Sequence, residues 1–259
     1  ISESIEFASL IQHSLLPDNK RIREYFGEYF TIWHPRDVVG GDIYLFEELG
    51  DSGDECILML IDCTGHGVPG AFVTMLVKAI ERQIIANINI EKEEIDPGKI
   101  LSIFNKSIKH LLKQDGSQEV ISNAGFDGGV LYYDRARGII RYAGANTPLF
   151  VASQGKISIL KGNKHSIGYV KSDANYKFHT YELDATKPLK LFLSSDGLLD
   201  QIGGVKEFPY GKSRFKDILE ENLEYGMADI QEVVMESLKD YQGKNERLDD
   251  VTVIGLKIN

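Results

Sequence analysis

The sequence predicts an α+β fold in which two antiparallel sheets pack together and a pair of helices covers each. Three observations lead there. The elements run as strands, two helices, many strands, two helices and a last strand, without the βαβ alternation of a doubly wound parallel sheet. Two packed sheets with a helix pair on each bury every apolar face that the periodicities define. No internal repeat, low-complexity tract or linker divides the 259 residues, a length that mixed sheets reach undivided.

Taken in order, residues 2–16 read as a helix that Ser2 can cap and Pro17 stops, with Ile5, Ala8, Ile11 or Gln12, and Leu15 recurring at helical spacing. We assign residues 1–17 to an N-terminal signalling or linker helix and 18–259 to a single domain. The apolar stripe of that helix suits a coiled-coil connection to an upstream sensor module, or a homodimer contact. Docking on the domain's own core is the alternative. Phe30–His34, Asp42–Glu48 and Glu55–Asp62 read as strands, the second and third joined by a turn at Asp51–Asp54, and their closeness in sequence predicts an antiparallel meander. Phe72, Leu76, Ala79, Ile80 and Ile84 mark a long amphipathic helix. Asp96-Pro97 opens another, with Ile100, Leu101, Phe104, Ile108 and Leu111 inward. Strands follow over 128–133, 138–143, 149–152, 157–160, 177–183 and 189–195, punctuated by turn residues at Asp134, Gly144, Gln154-Gly155 and Lys187-Pro188. Helices over 215–223 and 228–241 precede a final strand, 250–258.

Composition narrows the function. The hydrophobic share of 42% and charged share of 26% are those of an ordinary globule. No stretch approaches the ~20 apolar residues of a membrane span. A net charge of −10 argues against a nucleic-acid surface, which needs a basic stripe. It suits carboxylates gathered around cations, or simply solubility. Cys56 and Cys63 lie on one apolar strand, cannot form a disulfide framework, and read as packing residues in a reducing cytoplasm. The chain starts at Ile1 without Met and so reads as a piece of something longer, whose anchor could lie upstream.

The chemistry lies in four separated acidic steps. The run Ile57–Ile61 ends on Asp62, and Gly65, Gly67 and Gly70 follow, letting backbone approach closely and turn away. Asp42 follows Val38-Val39-Gly40-Gly41. Asp196 ends Leu191-Phe192-Leu193-Ser194-Ser195, and Asp249-Asp250 opens the last strand. One Asp-Gly is more often a turn cap than a ligand, but four such sites reverse those odds. Converging carboxylates repel unless a dication joins them, and Mg2+ or Mn2+ prefers carboxylate oxygen and water. Two ions ~3.5–4 Å apart can share a water whose pKa falls toward neutrality. Phosphate-ester hydrolysis by a metal-activated water fits these parts. His13, His34, His110, His165 and His179 lack paired ligand spacing, so no zinc is assigned, and Ser194-Ser195 lacks the glycine elbow of a nucleophile.

Asp42 in Val-Gly-Gly-Asp, Asp62 in Asp-Cys-Thr-Gly-His-Gly, Asp196 in Ser-Asp-Gly and Asp249 in Asp-Asp-Val-Thr resemble the ordered motifs of the metal-dependent (type 2C, PPM) protein phosphatases. The Gly65–Ala71 turn and the leader Ile11-Gln12-His13-Ser14-Leu15-Leu16-Pro17 are similar to the bacterial SpoIIE branch. The resemblance spans essentially the whole chain. It implies a four-layer αββα sandwich with two Mg2+ or Mn2+ ions. Asp62 bridges both, Asp42 serves one, Asp196 and Asp249 serve the other, and the Cys63 backbone carbonyl adds a ligand. Many relatives carry glycine where Cys63 stands, a change that any backbone oxygen tolerates. Asp250 is the alternative to Asp249, and Asp127 a candidate for a third, weak ion or else an edge-turn acid. Arg36 either orients a substrate phosphate or pairs with Asp37. His66 either donates a proton or shapes the glycine turn. The resemblance further implies a cytoplasmic phosphoserine/phosphothreonine phosphatase. Its substrate class is a phosphorylated anti-sigma-factor antagonist, and its control an upstream sensor in the same chain, of a kind that a membrane anchor can hold. A non-catalytic metal-binding interaction module is the rival reading. A nucleotide-binding kinase-type domain is weaker still, because no lysine-bearing phosphate loop is present.

Overall fold

The computed structural model describes residues 2–91, 93–117 and 119–259, and the Ser2 side chain, the expected cap of the first helix, lies outside what is described. The chain opens with α1 (Ser2–Leu15), α2 (Asn19–Tyr25), β1 (Glu28–His34), β2 (Asp42–Leu49), β3 (Glu55–Cys63), α3 (Gly67–Glu91) and α4 (Pro97–Leu111). Five strands follow: β4 (Phe126–Asp134), β5 (Ile139–Ala145), β6 (Leu149–Ser153), β7 (Lys156–Leu160) and β8 (Tyr181–Asp184). Then come β9 (Leu189–Ser194), α5 (Asp196–Leu199), the short pair β10 (Ile202–Gly203) and β11 (Phe208–Pro209), α6 (Gly211–Glu221), α7 (Met227–Gln242) and β12 (Val251–Ile258).

Two five-stranded antiparallel sheets, ordered β1-β12-β9-β6-β7 and β2-β3-β4-β5-β8, form the middle layers. The central strands β3 and β12 are buried along almost their whole length because both of their faces are covered. On β3, Cys56, Leu58 and Leu60 face the other sheet, packing with Leu191 and Leu256 there and with Leu131 of neighbouring β4. Ile57, Met59 and Ile61 point the other way, onto Val77, Ile80, Leu101 and Phe104 of α3 and α4. On the second sheet Val251 and Val253 pack under Phe215, Ile230 and Val234 of α6 and α7, while Ile254, Leu256 and Ile258 face the sheet interface. A one-residue slip of either strand would exchange its two buried faces, so the register is strongly specified.

The expected meander of the first three strands is wrong in one respect. β2 and β3 pair, Asp42 opposite Asp62 through Leu49 opposite Glu55, but β1 leaves for the other sheet and pairs with β12, Glu28 opposite Lys257 through His34 opposite Val251. The link after β1 crosses between sheets, and the closing strand, more than 200 residues later, supplies the partner that local proximity had suggested from β2. The strand expected over 177–183 begins only at Tyr181, because its first half is engaged elsewhere. His179 N–H donates to Asn163 Oδ1 at 2.8 Å, and Thr180 Oγ1 donates to Asp96 Oδ1 at 2.5 Å. Two helices escaped periodicity because they are short: α2, capped by Asp18 Oδ1 accepting from Lys20 N–H at 2.9 Å, and α5.

One buried charge cluster sits where α3 crosses β2. Lys78 Nζ lies 3.0 Å from both Glu47 Oε1 and Glu81 Oε2. Glu81 is 0% exposed. Burial pushes its carboxyl from 4.5 up to about 7, with Lys78 opposing and Glu47 adding to the rise. The folded protein therefore holds a proton between those values that the unfolded chain releases, so this part of the stability is complete below pH 4.5 and lost as pH rises through about 7. Glu81→Gln is expected to be more stable than wild type at pH 8, by on the order of 2 kcal/mol, and nearly equal to it at pH 4.5. Paired urea melts at the two pH values check this, and a difference independent of pH refutes it.

Candidate metal centre

The ends of β2, β3 and β4 place three acids in a row, because Asp42 stands opposite Asp62 and Asp62 opposite Asp127. The second sheet brings the others. Asp196 follows β9, Asp249 precedes β12, and those two strands are neighbours, with Ser194 opposite Val253. The Asp196 N–H donates to Asp62 Oδ2 at 3.4 Å, a contact between residues of different sheets. Four aspartates far apart in sequence thus meet at one rim of the sandwich.

Their electrostatics set this rim apart. Asp42 is 2% exposed. Burial drives its carboxyl well above the usual carboxylate range, the hydroxyls of Thr252 and Ser195 oppose that, and the charges of Asp250 and Asp196 add to it. The Thr252 hydroxyl donates to Asp42 Oδ2 at 2.7 Å. Asp62 is likewise raised by burial and then by Asp42, Asp196 and Asp249. Lost hydration in the crowded rim also raises Asp196, although the residue is exposed, opposed by its hydrogen bond with Asp62 and reinforced by Asp249, Asp200 and Asp127. Among the described residues none of Asp42, Asp62, Asp196 or Asp249 forms an ion pair with Lys, Arg or His. Nor are three or more His, Cys, Asp or Glu side chains spaced to grip one ion as they stand. The fold supplies a shared acidic rim without a built-in counter-charge. Hard, charged oxygen donors with uncompensated repulsion fit a divalent cation such as Mg2+ or Mn2+.

Asp250 behaves differently from its neighbour. Its Oδ1 accepts from Arg36 N–H and its Oδ2 from Gly41 N–H, each at 2.6 Å. Both oxygens hold the crossing loop against β12. Asp249 Oδ1 caps the Asp250 N–H at 2.8 Å. The Cys63 N–H donates to Gly41 O at 2.8 Å, and Cys63 O lies 2.9 Å from where a Gly41 Cβ would stand. The two ligand-bearing loops are therefore packed backbone on backbone.

Arg36 and His66 are brought together. Arg36 Nη1 donates to His66 Nε2 at 3.1 Å and to Leu248 O at 2.9 Å. His66 Nε2 thus accepts, leaving Nδ1 to donate to Asp37 Oδ2 at 2.8 Å. The expected Arg36–Asp37 pair runs through His66 instead of directly. Asp127 Oδ1 accepts from Asn146 Nδ2 at 3.1 Å. Ser195 Oγ accepts from Thr252 N–H at 3.0 Å and serves the strand end.

Sequence reading assigned Gln12 no role at this rim. Gln12 on α1 is 2% exposed. Its Oε1 accepts from Gly40 N–H at 3.0 Å, and its Nε2 donates to Gly40 O at 2.7 Å and Thr74 Oγ1 at 3.1 Å. A polar side chain on an otherwise apolar stripe was the available signal.

The SpoIIE family model (stage II sporulation protein E) matches residues 52–259. Among solved structures, the SiaA-PP2C domain of Pseudomonas aeruginosa is similar at 32% identity and TM-score 0.84, over 100% of this chain and 97% of that one. A second is the PP2C phosphatase domain with a regulatory fragment of SpoIIE from Bacillus subtilis, at 17% identity and TM-score 0.66, over 90% of this chain and 63% of that one. A third holds RsbU and RsbW domains from Mycobacterium tuberculosis, at 17% identity and TM-score 0.65, over 89% of this chain and 59% of that one. No curated protein sequence matches.

Proposed function

Because the chain belongs to the SpoIIE family and has the PP2C phosphatase fold, we propose that it is a metal-dependent protein phosphatase acting on phosphoserine or phosphothreonine. The observation that carries this reading is the convergence of Asp42, Asp62, Asp196 and Asp249 from two sheets onto one rim without a cationic partner among the described residues. Asp62, central to the mutual repulsion, would hold the ions together with Asp42, the Cys63 carbonyl, Asp196 and Asp249. Asp250 is assigned to the loop, since backbone donors occupy both its oxygens. Ions bound there supply Lewis acidity toward a phosphoryl group and lower the pKa of a water. The protein's own part is to hold those carboxylates rigidly and to steer the phosphate. Arg36, fixed by His66 and Leu248, presents a guanidinium suited to phosphate oxygens. Its orientation depends in turn on Asp37. The test has two halves. Anomalous scattering from manganese-soaked crystals should place two ions among these carboxylates, and phosphate release from a phosphoserine peptide should require Mn2+ and stop in EDTA. Ions elsewhere, or turnover indifferent to EDTA, sinks the reading.

The resemblance extends the proposal to a regulatory phosphoprotein of the anti-sigma-factor-antagonist type as substrate, under an upstream sensor joined through residues 1–17. No helix among the described residues is long and apolar enough to cross a membrane. What supports a regulatory leader is α1 itself. It leaves Phe7 64% and Leu10 69% exposed, available to a sensor helix or a second copy, while Gln12 reaches the loop that carries Asp42. Gln12→Ala strands the buried N–H and C=O of Gly40, at a cost of about 1–3 kcal/mol. The Mn2+ concentration for half-maximal activity is expected to rise several-fold, as read by metal titration. If removing residues 2–16 altogether leaves metal requirement, rate and oligomeric state unchanged, the leader has no such role.

A further inference from the structure

The long segment between β7 and β8 forms a lip beside the acidic rim, and it carries a charge of the opposite sign. Lys164, His165, Ser166, Tyr169, Lys171 and Asn123 line a cavity of about 450 Å³. Both lysines are exposed and neither is ion-paired among the described residues, in a chain whose net charge is −10.

Two chains of hydrogen bonds join this cavity to the proposed centre. Thr64, two residues past Asp62, donates from Oγ1 to the Tyr169 hydroxyl at 2.8 Å and accepts from Gly125 N–H at 2.8 Å. On the other side Asn146 Nδ2 reaches both Asp127 Oδ1, at 3.1 Å, and Ser166 Oγ, at 2.9 Å. Buried polar side chains of α4 fix the lip from below. Asn105 Oδ1 accepts from Gly168 N–H at 2.7 Å, and Lys109 Nζ donates to the carbonyls of Tyr169 and Val170 at 2.8 and 3.0 Å. His165 is held by stacking on Tyr176 at 3.9 Å and by accepting the Asp173 N–H at Nε2, 3.0 Å away. Its Nδ1 is left a donor with no partner. The acids that adjoin the lip each keep their charge but have one oxygen held by a neutral donor: Asp127 Oδ1 by Asn146, and Asp173 Oδ1 by Asn175 N–H at 2.9 Å. A rigid cradle bearing two free ammonium groups therefore stands next to the acidic rim.

We propose that this cradle seats an acidic stretch adjoining the phosphorylated residue of the protein substrate, an inference that rests on the phosphatase reading above. A chain of this net charge repels acidic proteins at long range, and a local cationic lip offsets the repulsion where the phosphate must enter. Lys164 and Lys171 are specificity residues in this account, apart from the reacting atoms.

Two fluorescein-labelled phosphoserine peptides test it, one flanked by glutamates and one with those positions changed to glutamine. Anisotropy in EDTA reads binding without turnover, and phosphate release with Mn2+ reads kcat/KM. The wild type is expected to prefer the glutamate peptide about tenfold at low salt by both measures, and less at high salt, since each exposed pair contributes about fivefold at most and two lysines act together. Lys164→Gln with Lys171→Gln should bring the preference near one, and Lys164→Arg with Lys171→Arg should keep it. A wild type that does not discriminate, or a glutamine variant that still does, overturns the inference. Preferential binding through these lysines without Mn2+-dependent release upholds the cradle and overturns the phosphatase reading instead.

Discussion

Asp62→Asn is expected to lower Mn2+-dependent phosphate release by about a thousandfold or more, while the metal-free protein becomes more stable. The two effects have one origin. Asp62 is crowded by Asp42, Asp196 and Asp249 in a half-buried setting that disfavours its charge. Asparagine keeps the shape and removes one negative charge, so repulsion among the remaining acids falls when no cation is present. The same charge, shared between two ions, is what the proposed chemistry needs, and metal assistance accounts for several kcal/mol of barrier, with each 1.36 kcal/mol worth about tenfold in rate. Thermal melts in EDTA and phosphopeptide assays in Mn2+ read the two halves separately. A variant that loses activity because it unfolds would melt lower, the opposite of what we expect. Full metal-dependent turnover in Asp62→Asn removes the basis for the assigned site. Asp127→Asn is the comparison: Asp127 shares the row, but its Oδ1 already accepts from Asn146, and the expected loss is smaller.

Much of this rim was legible because strand ends announce themselves. An apolar run stopping on Asp62 and a glycine pair before Asp42 are local patterns, and the antiparallel register of β2 and β3 turns them into neighbours. The layer order followed from the element order for the same reason. Pairings that span the whole chain were out of reach. β1 belongs beside β12, yet nothing near Glu28–His34 names a strand 200 residues away, whereas β2 lies close by in sequence. Asp249 and Asp250 are adjacent and chemically identical, and only the tertiary fold reveals that Asp250 spends both oxygens on the N–H groups of Arg36 and Gly41. Thr252 and Gln12 were invisible for a related reason. Each reads as one polar residue in an apolar pattern until the fold brings it to Asp42 or Gly40.

Gly70→Ala carries the other large effect, and its sign is the informative part. Gly70 lies in the first turn of α3, where alanine ordinarily stabilises a helix by about 0.5–1 kcal/mol. Here a Cβ would stand 2.3 Å from Gly65 O, 2.8 Å from Gly41 Cα and 2.9 Å from Gly41 N. All three atoms are backbone and cannot rotate away, so helix or loop must move. Overpacking of this kind costs about 1–3 kcal/mol or more, which outweighs the helix propensity gained. The displaced partner is Gly41, whose N–H is bound to Asp250 Oδ2, whose carbonyl accepts from Cys63 N–H, and whose next residue is Asp42. The melting temperature of Gly70→Ala is therefore expected to fall by roughly 2–12 °C, at about 2–4 °C per kcal/mol for a chain of this size. Mn2+ affinity should fall with it, because a displacement near 1 Å is enough to spoil a positioned site, on the order of a hundredfold in rate. Calorimetry and metal titration on the same sample check the pair of effects. A variant that melts at or above wild type would mean that the two loops are not packed against α3 as the structure has them, and the rigidity proposed for the aspartate rim would lose its support.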